Sequence, residues 1–267
     1  MSQQIHIFDR QHLRQRRDRA ASSFSLHHSA LFEATAEQLL ERIADVKRDF
    51  ASILDLGAHD GFLARRLAKR ENSFVVAADL SEKMLGQGGY VKSVAADEEL
   101  LPFADASFDL ITSNLSLHWV NDLPGVLVQI KQALRPDGLF LATFLGGQTL
   151  FELRSCLLEA ELAISGGVSP RLSPNIDMPT ASALLQRAGF NLPVTDHEIF
   201  TFAYSDIFAL MRDLRGMGET NLHMQRSRKT TRRAMFDLAN RLYQERFALP
   251  GGRIAATFEV IFIHGWR

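Results

Sequence analysis

The chain is poor in cysteine, has no long apolar run, and carries no surplus of charge of either sign. Cys156 is the only cysteine in 267 residues. A single thiol excludes an internal disulfide and any metal centre built from clustered thiolates, and it fits a reducing cytoplasm. No apolar stretch is long enough to span a bilayer, and the N-terminus lacks the apolar core of a secretory signal, so no membrane span is expected. The 30 Lys and Arg against 31 Asp and Glu leave a formal net charge of −1, without the basic surplus on which nucleic-acid or membrane binding draws. The nine histidines show no ligand spacing beside a carboxylate, and the adjacent His27 and His28 diverge on a helix or a strand, so no metal site is expected. Internal repeats and low-complexity tracts are absent. What is present is a hydrophobic content of 46%, enough for the core of one large α/β domain, with or without an insertion.

The chain is organised around residues 52–61, Ser-Ile-Leu-Asp-Leu-Gly-Ala-His-Asp-Gly. Apolar residues run into Asp55, and Asp55 into Gly57 and Gly61. Residues 62–70 then carry apolar side chains at helical spacing. The pattern predicts a buried strand, a tight turn and a helix start. Gly57 permits a turn conformation closed to other residues, and Gly61 lets backbone approach a ligand or the strand. The unpaired N–H groups of the helix start suit an anionic group. Asp55 selects the ligand. Two residues before Gly57, its charge opposes the pyrophosphate of a dinucleotide, which disfavours an NAD-dependent dehydrogenase. It favours a ligand with ammonium and sulfonium charge, and S-adenosylmethionine (SAM) is such a ligand. A strand-turn-helix unit holding nothing is the plain alternative.

Before this stretch, residues 5–19 read as a basic helix with Arg10, Arg14, Arg16, Arg17 and Arg19. It is either a solvated surface helix, or a lid over the site, or a grip on an acidic partner. Residues 29–48 have helical apolar spacing through Leu31, Phe32, Leu39, Leu40, Ile43 and Val46. Residues 1–50 therefore form N-terminal capping helices on a domain of residues 51–267, with helical additions near 150–190 and 204–247. The second strand, 73–79, closes on Asp79, where an acid can accept from both hydroxyls of a ribose. Capping the next helix is the other use open to Asp79. Met84 offers a soft thioether face to an adenine. A third strand, 90–95, leads to Asp97 and Glu98. The fourth, 107–113, ends at Asn114 and the loop through His118 and Trp119, at the strand ends where doubly wound sheets hold ligands. Next come a helix at 122–134, stopped by residues 135–138, and a fifth strand at 139–144. A helix capped by Thr149 follows, then a loop at 166–175 and a helix at 177–188. Strands at 194–202 and 254–263 flank helices near 207–214 and 231–247. The alternation predicts a seven-stranded, mostly parallel sheet in the order 3-2-1-4-5-7-6 with an antiparallel last strand.

Asp55, Gly57 and Gly61 resemble the first motif of the class I SAM-dependent methyltransferases, acid-x-Gly-x-Gly-x-Gly, with His59 at the middle glycine. Four further stretches extend the resemblance: Asp97-Glu98-Glu99-x-Leu101-Pro102-Phe103, the loop Leu115 to Pro124, Gly216-Met217-Gly218-Glu219-x-Asn221, and the ending Gly265-Trp266. With the opening Ile7-Phe8-Asp9-Arg10, these look like the methyltransferase-fold assembly factor of respiratory complex I and its bacterial relatives, over nearly the whole chain. The His118-Trp119 stretch is also similar to the malonyl-carrier-protein methyltransferase of biotin synthesis. The resemblance implies a Rossmann-like class I methyltransferase fold that binds SAM. It implies that Asp97, with Glu98 beside it, accepts from the adenine amine. For the complex I factor it implies hydroxylation of an arginine on a partner subunit instead of methyl transfer.

The expected cofactor set is Asp55, Gly57, Gly61, Asp79, Met84, Asp97, Glu98 and Asn114. Methyl transfer is an in-line displacement from an already reactive sulfonium, so the protein mainly aligns the acceptor and excludes water. A carboxylate acceptor needs no base. A hydroxyl or amine acceptor does, and His118 is the candidate, a packing histidine being the alternative. Trp119 is expected as a wall. The first reading is thus a SAM-dependent methyltransferase acting on a small molecule or a protein. The second is an assembly factor that binds a complex I subunit, with hydroxylase activity or none. A nucleic-acid methyltransferase is weakest, because Asn114-Leu115-Ser116-Leu117 stands where an Asn-Pro-Pro-aromatic loop would and Cys156 follows no proline. The His59 ring either swings outward and leaves the site intact or fills its methionine end. The first is expected, since three acids would otherwise lack a ligand.

Overall fold

A computed structural model describes residues 6–89 and 91–267, the side chains of Ser25 and Leu26 excepted. Ile5 and Tyr90, where the basic helix and the third strand were expected to begin, lie outside the described residues. Seven strands form one sheet: β1 (Ser52–Leu56), β2 (Phe74–Asp79), β3 (Lys92–Ala95), β4 (Phe108–Ser113), β5 (Leu134–Leu145), β6 (Asn191–Tyr204) and β7 (Ile254–Trp266). Their order is β3-β2-β1-β4-β5-β7-β6, as the alternation predicts. The first five pair in parallel, and β7 runs antiparallel to both β5 and β6.

Successive residues of the central strands serve opposite faces. Ile53, Leu110, Leu139, Leu141 and Phe262 face one apolar core, and Leu54, Ile111, Phe140, Ala142 and Ile263 face the other. The first core takes side chains from α3 (Ala30–Asp45), α4 (Phe62–Leu67), α7 (Phe151–Ser165), α9 (Ile207–Gly216) and α10 (Arg233–Phe247), numbering the helices along the chain. The second takes α6 (Leu123–Ala133) and α8 (Met178–Arg187). Covered on both sides, β1 and β4 read as near-continuous apolar runs, the mark of a parallel sheet. No helix of the described residues is long and apolar enough to cross a membrane.

Two local expectations are corrected. Thr149 does not cap α7. The N-cap is Leu150, at φ +54°, while Thr149 Oγ1 donates to the Glu259 carbonyl at 3.0 Å and ties the turn to β7. Residues 135–138 do not form a separate stop after α6. They belong to β5, which begins at Leu134 opposite Phe108, and a register shift between Phe108 and Leu110 absorbs the extra residues.

The basic segment is α1 (Arg10–Ala20), capped by Asp9, which accepts from His12 N–H at 3.0 Å. It is not a solvated helix: Leu13, Arg17 and Ala20 are buried on one face. The chain before it is fastened to the site loops. Asn121 Oδ1 accepts from the N–H groups of Ile7 and Phe8 at 2.7 and 2.8 Å, and the Phe8 ring packs edge-on against Trp119 at 5.4 Å. A short α2 (Phe24–His27) leads into α3.

Candidate active site

The site lies at the carboxyl ends of β1, β2 and β4. Gly57, at φ +70°, turns the chain out of β1, and the N–H groups of Gly57 and Ala58 donate to the Ala78 carbonyl at 2.7 and 2.9 Å. This brings the end of β1 against the end of β2 and sets Asp55 and Asp79 near one another. Asp55 is fully buried. Its Oδ1 accepts from Thr112 Oγ1 at 3.1 Å, and its Oδ2 has no partner. Burial pushes its carboxyl up to about 7, against hydrogen bonds from Thr112 and from the Ala64 N–H. Ala64 lies in the first turn of α4, so one free donor of that helix start serves Asp55. Gly61, at φ +74°, lets two backbone segments meet: a Cβ there would lie 3.4 Å from Gly88 Cα.

Asp79 is the hub. Its Oδ1 accepts from Ser81 N–H at 2.7 Å, and its Oδ2 accepts from His59 N–H at 3.1 Å and from Arg17 Nη1 at 2.9 Å. Ser81, not Asp79, caps the next helix, α5 (Glu82–Leu85). Arg17 Nη1 also donates to Glu98 Oε1 at 3.1 Å, and its Nη2 to Ser116 Oγ at 2.9 Å. Ser116 in turn donates to Glu98 Oε1 at 2.8 Å. Glu98 Oε2 pairs with Arg10, which reaches Asp97 Oδ1 at 2.5 Å as well. Burial raises the Glu98 carboxyl, but the Arg10 and Arg17 guanidiniums outweigh it and hold it well below the usual range. Burial works against the Arg17 charge, and Asp79 and Glu98 overcome it. Asp97 sits at the rim with its side chain 38% exposed, whereas that of Glu98 is wholly enclosed.

Two members of the expected set are used otherwise. Met84 is fully buried in the first apolar core. Asn114 braces α3 against β5: its Oδ1 accepts from Thr35 Oγ1 and Thr143 Oγ1, both at 2.8 Å, and its Nδ2 donates to the Phe32 carbonyl at 2.8 Å. His59 corrects the expected outward swing. Its ring is 3% exposed, parallel to Phe24 at 5.7 Å and edge-on to Phe32 at 4.5 Å. The imidazole gains more from burial between two phenyl rings than from solvent. Burial and the Arg17 charge lower its pKa, so the ring is neutral and Nδ1 stays unpartnered.

Beside this set is a second one. His118 Nε2 lies 3.1 Å from Glu219 Oε2, and Trp119 Nε1 donates to both Glu219 oxygens at 3.1 and 3.0 Å. Burial raises the Glu219 carboxyl, but its two partners hold it below the ordinary value. His118 Nδ1 is buried with no partner. A cavity next to it is lined by His118, Glu219, Arg154, Asn175, Asn221 and Phe258. One imidazole nitrogen is fixed by a carboxylate and the other is free, an arrangement suited to taking a proton. Glu219 follows Gly218, at φ +79°, where a Cβ would lie 3.6 Å from Arg17 Cγ, so this turn closes over α1. Trp119 is a wall, as expected.

Three residues of the site were not singled out from sequence: Arg17, Ser116 and Glu219. Arg17 carried a signal, since it stands seven residues after Arg10 and in phase with Leu13 and Ala20. Glu219 stood in a motif but had no role. Among the described residues no group of three or more His, Cys, Asp or Glu is placed to hold a metal ion.

The residue set fits SAM. A turn without a side chain lies beside two buried acids, and Asp55 Oδ2, Ser113 Oγ and His59 Nδ1 are buried without partners. In the arrangement seen, the space over Gly57 is taken by Ser116, whose Oγ and Cβ would overlap a Gly57 Cβ. Gly57→Ala is therefore expected to cost roughly 2–4 kcal/mol of stability, from overpacking and from the positive φ. Denaturant unfolding measures this, and adding Ser116→Gly should return part of the loss. A cost below about 0.5 kcal/mol, the scale of an ordinary surface change, contradicts the close packing.

Residues 54–142, from β1 into β5, match Methyltransf_11, a methyltransferase domain family. Solved structures share the architecture. Phosphoethanolamine N-methyltransferase 2 of Haemonchus contortus superposes with a TM-score of 0.59 at 16% identity, over 96% of this chain and 60% of that one. The YcgJ protein of Bacillus subtilis gives 0.58 at 17%, over 88% and 98%. Fold and sequence together define a class I, SAM-dependent methyltransferase type of protein. Over 99% of its length the chain is 37% identical to arginine-hydroxylase NDUFAF5, mitochondrial, of Danio rerio, of which it covers 84%. It is 38% identical over 98% to the Homo sapiens protein, covering 77% of it. It is also 35% identical over 97% to malonyl-[acyl-carrier protein] O-methyltransferase of Xylella fastidiosa, covering 88%. The chain belongs to the methyltransferase-fold family that contains both.

Proposed function

We propose that the chain binds SAM along the ends of β1 and β2 and transfers its methyl group to a small-molecule or protein acceptor seated in the His118 cavity. The observation that carries this is the juxtaposition of the Asp55–Gly57–Asp79 set with a carboxylate-oriented imidazole. Asp79 would accept from the ribose, Asp55 would face the ammonium, and Glu98 with Asp97 would lie toward the adenine. Bound there, SAM supplies an activated methyl group. His118, oriented by Glu219, takes the proton that a hydroxyl or amine acceptor gives up. Residues before 51 serve as the cap of this site, and the single buried cysteine supports a cytoplasmic location. Mass spectrometry of candidate acceptors incubated with the protein and SAM tests the reading, which requires a gain of one methyl.

Glu219 is a positioning residue. Glu219→Gln should lower kcat about 100-fold with little change in KM, and should shift the acidic limb of the pH–rate profile. A kcat within about twofold of wild type, on the scale where tenfold is 1.36 kcal/mol, would mean a carboxylate acceptor that needs no base. A second reading rests on one observation: Asp79, Glu98 and Ser116 already hold a guanidinium, that of Arg17. Such a site suits recognition of an arginine on a partner, as in the arginine-hydroxylases among the relatives, including a complex I subunit. The same spectra would then show a gain of oxygen.

A further inference from the structure

We propose that Arg17 is an internal gate on the cofactor site. Its guanidinium occupies the acids that a SAM ribose would use, and the cofactor enters only when α1 withdraws it. This inference rests on the SAM reading of Asp79. Arg17 is 1% exposed and enclosed on all sides by site residues: Asp79 at 2.9 Å, Glu98 at 3.1 Å and Ser116 at 2.9 Å. Its Nε has no partner, so the pocket satisfies only one end of the guanidinium. The same closure brings Ser116 onto Gly57 and Gly218 onto the Arg17 stem, so the turn, the fourth-strand loop and the Glu219 turn all pack around this one side chain.

The physical reason is charge. Asp79 and Glu98 are both fully enclosed, and two buried carboxylates need a cation. Arg10 serves Glu98 and Asp97, which leaves Asp79 to Arg17. An incoming ribose must take Asp79 Oδ2 from Arg17, so the apparent affinity falls by the fraction of molecules whose gate is closed. Arg17 is part of a helix whose entry is pinned by Asn121, while α2 beyond it is a single turn. The geometry therefore points to movement of the second half of α1 and of α2, hinged near Phe8 and Asp9.

The test uses the full chain and S-adenosylhomocysteine (SAH) as probe. Calorimetry on Arg17→Gln should show SAH binding at least tenfold tighter than wild type. Hydrogen–deuterium exchange on the wild-type protein, which needs no variant to fold, should show faster uptake across residues 13–21 when SAH is added. Equal or weaker binding by a folded Arg17→Gln, or uptake that SAH leaves unchanged or lowers, overturns the gate while leaving the cofactor reading in place. Failure of both proteins to bind SAH at millimolar concentration overturns the gate and that reading together.

Discussion

Asp79→Asn is expected to weaken SAH binding by roughly 10- to 100-fold, the worth of about 1.5–3 kcal/mol for hydrogen bonds to a charged acceptor. The same change should lower stability, because it removes one of the two carboxylates that balance a buried guanidinium. Breaking such a pair costs about 3–5 kcal/mol when the remaining charge has no partner, and here Glu98 retains Arg17, so a smaller cost is expected. The two effects separate in one experiment: calorimetry reads the affinity, and denaturant unfolding without ligand reads the stability. The isosteric amide keeps the Ser81 and His59 N–H contacts in place, so a loss of affinity reports charge and not collapse of the turn. Affinity within twofold of wild type would remove Asp79 from the cofactor site.

Asp55→Asn is expected to change the pH dependence of stability. The folded-state carboxyl titrates at about 7 because it is buried, whereas an unfolded aspartate titrates near 3.9. Between these values the folded chain holds a proton that the unfolded chain has lost. Stability therefore falls as pH rises through this window, by up to about 1.4 kcal/mol per unit. It is fullest below the unfolded value and lost once pH passes the folded one. Asparagine carries no such proton, so above pH 7 the variant should be more stable than wild type by roughly 2–4 kcal/mol, the two converging at acid pH. Glu98 acts with the opposite sign and in a lower window: its depressed pKa contributes stability above the unfolded value that is lost as pH falls below it. Comparing Asp55→Asn with wild type at each pH removes that background. Parallel pH profiles would show that Asp55 is ionised throughout.

The strand order was legible because the parallel strands are apolar runs closed by acids, and a right-handed sheet leaves few ways to arrange them. The acids at the ends of β1 and β2 were legible for the same reason, since each stands at the last residues of a strand, where ligands of such sheets lie. What surrounds them was not. Arg17 meets Asp79 and Ser116 across 62 and 99 residues of chain, and nothing local distinguishes it from Arg14 or Arg16 except its phase with Leu13. The His59 ring was misread because its direction is decided by Phe24 and Phe32, on helices before the sheet. Asn114 looked like a ligand residue from its place after β4, but its three hydrogen bonds are to α3 and β5, which no spacing reveals. Thr149 is a good cap by type, and the pull of β7 on its hydroxyl overrides that preference.

The most direct measurement of the central claim is a crystal structure of the full chain grown with SAH. The account predicts the ribose hydroxyls on Asp79, the adenine toward Asp97 and Glu98, and Arg17 withdrawn from the site with Ser116 moved off Gly57. SAH bound elsewhere, or Arg17 still paired with Asp79 beside a bound SAH, would contradict it.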